Sequence, residues 1–192
     1  MTRLQSVANS AGELPCPLVV MDTAPAAVLG ANFDPVVAKR ERKIICNVGN
    51  FHTLAFRLGD GIEGVFEHHT GEIDLPKLKK YIRALADGSL KHQDVFDDMG
   101  HGALVYGNHP FEFGKDEFDV VVTGPRRSMF NLETGSLLSN VQQQAAPLQR
   151  LKSYFAVPFG DMMIAGCFGL LAATAEILPD VTEPVLGSLR SG

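Results

Sequence analysis

Cysteine is scarce in this sequence, and what there is does not cluster. Cys16, Cys46 and Cys167 are the only three in 192 residues. An odd number at such wide spacing signals neither a disulfide framework nor a zinc ribbon. Each sits among apolar neighbours, where cysteine most often serves as a small core residue. A basic stripe is missing as well. The net charge is −5 and the isoelectric point is near 5.6, so nucleic acid is excluded as the expected partner. Long hydrophobic runs are also lacking. The longest, Met162 to Ala173, falls well short of the roughly 20 residues that span a bilayer. The first six residues, Met1 to Ser6, hold no apolar signal core. A cytoplasmic protein without a membrane partner is the expectation. There is no internal repeat and no low-complexity tract.

The composition that remains is that of an ordinary globular chain. Apolar residues make up 45% and charged residues 20%, and the length suffices to bury a sizeable core. Residues 1–17 read as an irregular N-terminal segment, 18–178 as one α/β domain and 179–192 as a C-terminal tail. Leu18 to Met21 reads as a buried strand, followed by a small-residue helix from Ala26 to Ala31. Asp34 to Arg42 reads as a surface connection. Lys43 to Asn47, His52 to Leu58 and Ile62 to Phe66 are β-rich runs separated by Val48-Gly49-Asn50 and Gly59-Asp60-Gly61. Two tight turns joining three strands predict an antiparallel meander. Leu75, Leu78, Ile82 and Leu85 then recur at spacings of three and four, which predicts an amphipathic helix with Asp74 as N-cap and Gly88 as its stop. Phe118 to Thr123 and Tyr154 to Pro158 read as further strands, residues 131–150 as partly helical, and Gly160 to Glu176 as a buried helix with Asp161 as N-cap. Strands followed by alternating helices and strands predict a mixed sheet with helices packed against it.

Three segments carry candidate chemistry. In Asn47-Val48-Gly49-Asn50-Phe51-His52-Thr53, a strand end followed by Gly and Asn lets backbone N–H groups converge on an anion, with Asn50 and Thr53 adding side-chain donors. The alternative is a plain hairpin turn. In Glu67-His68-His69-Thr70-Gly71, strand alternation puts Glu67 and His69 on one face and His68 with Thr70 on the other. A carboxylate beside imidazoles suits proton transfer, with Glu67 and His68 as the catalytic candidates, or metal binding. The alternative is a pair of hydrogen-bonded histidines at a strand end. In Asp97-Asp98-Met99-Gly100-His101-Gly102, glycines flank a histidine just after two acids. The alternative is an acidic helix end and a flexible turn. Were these segments to converge, Glu67, His69, Asp98 and His101 would supply enough ligands for a transition metal, the site of a metal-dependent hydrolase.

The order of elements from Leu18 to Glu176 resembles the ribonuclease-H-like half-domain of the actin, sugar-kinase and heat-shock-chaperone ATPase superfamily. That resemblance implies an actin-like fold that binds ATP with Mg²⁺, or another small-molecule phosphate or nucleotide. Asn47, Gly49, Asn50, His52 and Thr53 would form its second phosphate loop, Gly124 would touch the nucleotide, and Glu67 or Asp98 would hold the Mg²⁺ waters. It also implies a partner half-domain preceding this one, and a homo-oligomer as another way to cover the cleft face. More narrowly, the strings Met21 to Ala27, Asn47 to Thr53, Val65 to Gly71, Gly100 to Gly102 and Phe159 to Gly169 are similar to those of an uncharacterised prokaryotic family labelled pyruvate formate-lyase activating enzyme. A radical activase holds its iron–sulfur cluster on three closely spaced cysteines, a spacing these three do not have. A non-catalytic interaction domain is the remaining expectation.

Overall fold

The computed structural model describes residues 2–106, 109–133 and 151–191. Contacts divide the chain into two compact units, residues 36–156 and residues 1–35 with 157–192.

The first unit is built on a six-stranded mixed sheet. Its strands are β1 (Lys43–Val48), β2 (His52–Leu58), β3 (Ile62–His69), β4 (Gly100–Val105), β5 (Val120–Thr123) and β6 (Ser153–Phe155), in the order β4-β3-β2-β1-β5-β6. β1 to β4 pair antiparallel in sequence order, while β5 runs parallel to β1 and β6 parallel to β5. The predicted meander is therefore present, with the Gly59–Gly61 hairpin closed by the Gly59 N–H on the Gly61 carbonyl. β3 runs on to His69, beyond the expected Phe66. β4 occupies a segment read from sequence as polar loop, because its two glycines hide the strand pattern.

Helix α4 (Leu75–Asp87) covers one face of this sheet. The Asp74 side chain accepts from the Lys77 N–H at 2.8 Å, and Gly88 closes the helix in the left-handed region at φ 83°, as the sequence predicts. Leu78, Ile82 and Leu85 are wholly buried against Ile44, Cys46, Ala55 and Phe66. Arg57 is also buried, and its guanidinium is occupied by Glu63 and by the carbonyls of Leu85, Ala86 and His109. Short helix α5 (His92–Phe96) packs beside β4.

The second unit is helical: α1 (Thr2–Ser10), α2 (Thr23–Ala31), α6 (Ala165–Ile177) and α7 (Pro179–Ser191), with the short α3 (Pro35–Ala38) at its boundary. α2 and α6 cross closely, since a Cβ on Gly30 would strike the Ala165 carbonyl and one on Gly169 the Ala26 carbonyl. Several expectations are corrected here. Residues 2–10 are helical rather than irregular, residues 18–21 form no strand, and 179–191 is a helix rather than a tail. Leu18 is exposed, so its apolar run lacks the burial that would make it a sheet centre. Asp161 does not cap α6. Its carboxylate folds onto the Met163 N–H, and the helix begins only at Ala165. Of residues 131–150, read as partly helical, 131–133 end a 3₁₀ helix (Arg127–Glu133) and the rest lie outside the described residues.

Candidate metal centre

Strand pairing assembles a histidine cluster that no local sequence motif announces. His52 opens β2 and His69 ends β3, and the two are direct cross-strand partners. His101 comes from β4, where the register against β3 shifts by one between Glu67 and His68. Such a bulge re-aims one side chain out of the regular alternation. Both glycines around His101 are needed for this. A Cβ on Gly100 would press on Val95 and His68, while Gly102 lies at φ 116° and a Cβ there would run into the His92 ring. Met99, just before, sits at φ 66°, a conformation that costs a non-glycine residue energy and clusters at functional sites.

The three imidazoles each offer one ring nitrogen, and these atoms lie within 4.8 Å of one another. Ring centroids are 4.5 Å apart for His69 and His101, 4.9 Å for His52 and His101, and 5.1 Å for His52 and His69. His52 and His69 are half-buried and His101 is exposed, so the cluster has a protein-facing and a solvent-facing side. Nitrogens 2.0–2.1 Å from a tetrahedral zinc lie about 3.3 Å apart, so the rings would have to draw closer than the 4.8 Å limit within which these atoms lie in order to share one ion. Glu67 completes the arrangement. Its carboxylate is 3.1 Å from His52 Nδ1, which fixes the ring and leaves Nε2 for a ligand.

Glu67 and His69 share one face of β3, as alternation predicts, and His68 lies on the other. His68 is fully buried, with Nδ1 3.0 Å from the His69 carbonyl and Nε2 2.7 Å from the Asp98 carbonyl. Both ring nitrogens are thus already engaged, and His68, expected as a catalytic partner of Glu67, lies on the other face of the strand from it. Asp98 is likewise held elsewhere. Its carboxylate accepts from Tyr81 Oη at 2.7 Å and lies 2.9 Å from Lys77 Nζ. These bonds, first the Tyr81 hydroxyl and then Lys77, hold its carboxyl below the usual range. Of the expected ligands Glu67, His69, Asp98 and His101, the structure gathers His69 and His101 with His52, sets Glu67 behind His52, and ties Asp98 to Tyr81 and Lys77 of α4.

The expected phosphate loop is the β1–β2 turn. The Gly49 N–H donates to the His52 carbonyl at 3.0 Å, and a Cβ on Gly49 would meet that oxygen at 2.5 Å. Gly49 is there for space, since neither it nor Asn50 has positive φ. Asn50 is exposed. Thr53 is buried on the opposite face from His52, with its hydroxyl bonded to that of Thr70 at 2.9 Å. Gly124, at φ 98°, lies against Asn47 and the Val48 carbonyl, so the turns after β1 and β5 meet. Beside Asn47 in the parallel register is Thr123. Its buried hydroxyl has no hydrogen-bond partner among the described residues, a state that costs about 1–3 kcal/mol. Sequence reasoning put Thr123 in the turn expected to touch a nucleotide but named only Gly124 as a contact there, and it placed His52 in the phosphate turn alone.

Comparison with known proteins adds a family. A model described as "Putative pyruvate format-lyase activating enzyme (DUF1786)" matches residues 1–129. The chain belongs to this family. No curated protein matches it, and no solved structure does. The cysteines do not fit a radical-activating cluster. Cys46 is fully buried and its thiol is pushed far above the usual range by desolvation, while Cys16 and Cys167 are exposed and belong to the other compact unit. Cluster ligation takes neighbouring thiolates, which this donor set does not supply. No helix among the described residues is long and apolar enough to cross a membrane.

Proposed function

We propose that this protein binds a divalent transition metal of the zinc class on His52, His69 and His101 and uses it to activate water for hydrolysis of a small polar substrate. The observation that carries this reading is the convergence of three imidazole nitrogens within 4.8 Å from three different strands. Three neutral imidazoles are a sufficient protein ligand set for a catalytic zinc, with the remaining position open to water. Bound metal supplies a hydroxide near neutral pH and polarises a carbonyl or phosphoryl oxygen. Glu67 orients His52 and raises its basicity as a ligand. That is a positioning role rather than that of a general base. The exposed side of His101 gives the substrate its approach.

The test is chelation and reconstitution. Protein stripped of metal and reloaded with Zn²⁺ is expected to hydrolyse an activated ester such as p-nitrophenyl acetate, at a rate that rises as the metal-bound water deprotonates. His69→Ala with His101→Ala should abolish the metal-dependent part. Identical rates for stripped, reloaded and variant protein would exclude a hydrolytic metal centre.

A second reading is favoured by the sheet order. An antiparallel run β3-β2-β1 continued by parallel β5 and β6 is the arrangement expected of a ribonuclease-H-like half-domain. The meeting of the Gly49 and Gly124 turns at the carboxyl ends of β1 and β5 is where open α/β sheets bind ligands. In that reading Asn47, Gly49 and Gly124 contact a phosphate or nucleotide. A thermal shift that requires both Mg²⁺ and nucleotide, without tight transition metal, would select it over the hydrolase.

A further inference from the structure

We propose that Asn47 and Thr123 form a neutral hydrogen-bonding subsite for the same substrate, taking a carboxamide or similar donor-and-acceptor group while the other end of the molecule meets the metal. This rests on the metal-centre reading above. It is carried by a separate observation, the orphaned hydroxyl of Thr123.

Thr123 ends β5 and is wholly buried, and its Oγ1 is the one buried side-chain polar atom among the described residues without a hydrogen-bond partner. A buried polar group left unpaired needs an explanation, and an absent ligand is one of the few available. Its neighbour in the register is Asn47 of β1, which is almost fully buried. Two glycines leave space around its side-chain amide. A Cβ on Gly124 would lie 2.8 Å from Asn47 Oδ1, and one on Gly49 would lie 3.6 Å from Asn47 Nδ2. Both groups are uncharged, and each donates and accepts hydrogen bonds. They therefore complement an amide better than an isolated charge.

The register connects this pair to the imidazoles. Asn47 pairs with Leu54, and Leu54 with Glu67, so Asn47 and Glu67 lie on one face of the sheet. Two strand spacings separate them, about 10 Å. His52, bonded to Glu67, precedes Leu54 by two residues on the same face. A short molecule lying across β2 can reach from the metal to the amide.

The probes are two hydroxamic acids of equal length, one ending in a primary carboxamide and the other in an isopropyl group, with acetohydroxamate as the metal-binding reference. Each is titrated calorimetrically into the zinc-loaded full chain. The carboxamide probe should bind about tenfold tighter than its isopropyl counterpart. Thr123→Val should erase that preference while keeping zinc stoichiometry and acetohydroxamate affinity, with a melting temperature no lower than that of the unmodified chain. Thr123→Ser, which keeps the hydroxyl, should retain the preference. Equal affinities in the unmodified protein, a preference that survives Thr123→Val, or one lost in Thr123→Ser would overturn the subsite. Failure of zinc to load or of acetohydroxamate to bind would overturn the metal reading, and the subsite with it.

Discussion

The carboxylate of Glu67 sets the orientation of the His52 ring at 3.1 Å, and its removal should be felt in metal affinity before it is felt in folding. Glu67→Gln is expected to weaken metal binding by about 10–100-fold, as outer partners of ligating histidines generally do, with an unchanged melting temperature for the metal-free protein. Competition with a chromogenic chelator measures it. Some of this was legible beforehand. Alternation alone puts Glu67 and His69 on one face, and the glycines around His101 mark an unusual backbone. His52 was not legible as a ligand, for a reason of register. Counting outward from the hairpin, Leu58 pairs with Ile62, which would set His52 opposite His68. The pairing instead steps by one between Arg57 and Leu58, leaving Glu63 as the additional residue, and His52 meets His69. A one-residue step of this kind turns every later side chain to the other face. No propensity rule announces it.

At the scale of elements, α4 and the meander hold β3 in place, and β3 carries the centre of the site. Leu85 is fully buried between α4 and the sheet. Leu85→Ala should cost about 2–5 kcal/mol in chemical denaturation. Asp74→Ala, which removes only the cap on Lys77 N–H, should cost about 1 kcal/mol. If the two costs were equal, α4 would not be held mainly by its apolar stripe. α4 and the three-stranded meander were readable because periodicity, cap and turn residues agree there. β4 was not, because Gly100 and Gly102 are present for close approach and for positive φ, and so look like loop residues. The helical second unit was largely missed at its ends. α1 and α7 have no N-cap signal strong enough to separate them from irregular chain, and Pro184 lies inside α7.

For the whole molecule, acid should be the destabilising condition. Glu63 has its carboxyl held below the ordinary value of 4.5, first by the hydrogen bond from Arg42 and also by Arg57, and Asp98 is held below 3.8 by Tyr81 and Lys77. A carboxylate depressed in the folded state contributes stability that is fully present above its unfolded value. That contribution is lost as pH falls through the folded value. The unfolding free energy of the metal-free chain should therefore be flat from neutrality down to about pH 5 and fall below about pH 4. Glu63→Gln with Asp98→Asn should flatten that fall, and an unaltered acid limb would show that other groups control it. The central claim concerns the metal centre, and the most direct measurement is metal stoichiometry by elemental analysis of the zinc-equilibrated, desalted chain and two variants. One equivalent per chain is expected in the unmodified protein and in Asp98→Asn, with loss in His52→Ala. Retention of metal by His52→Ala, its loss from Asp98→Asn, or no stoichiometric metal in the unmodified chain would contradict the account.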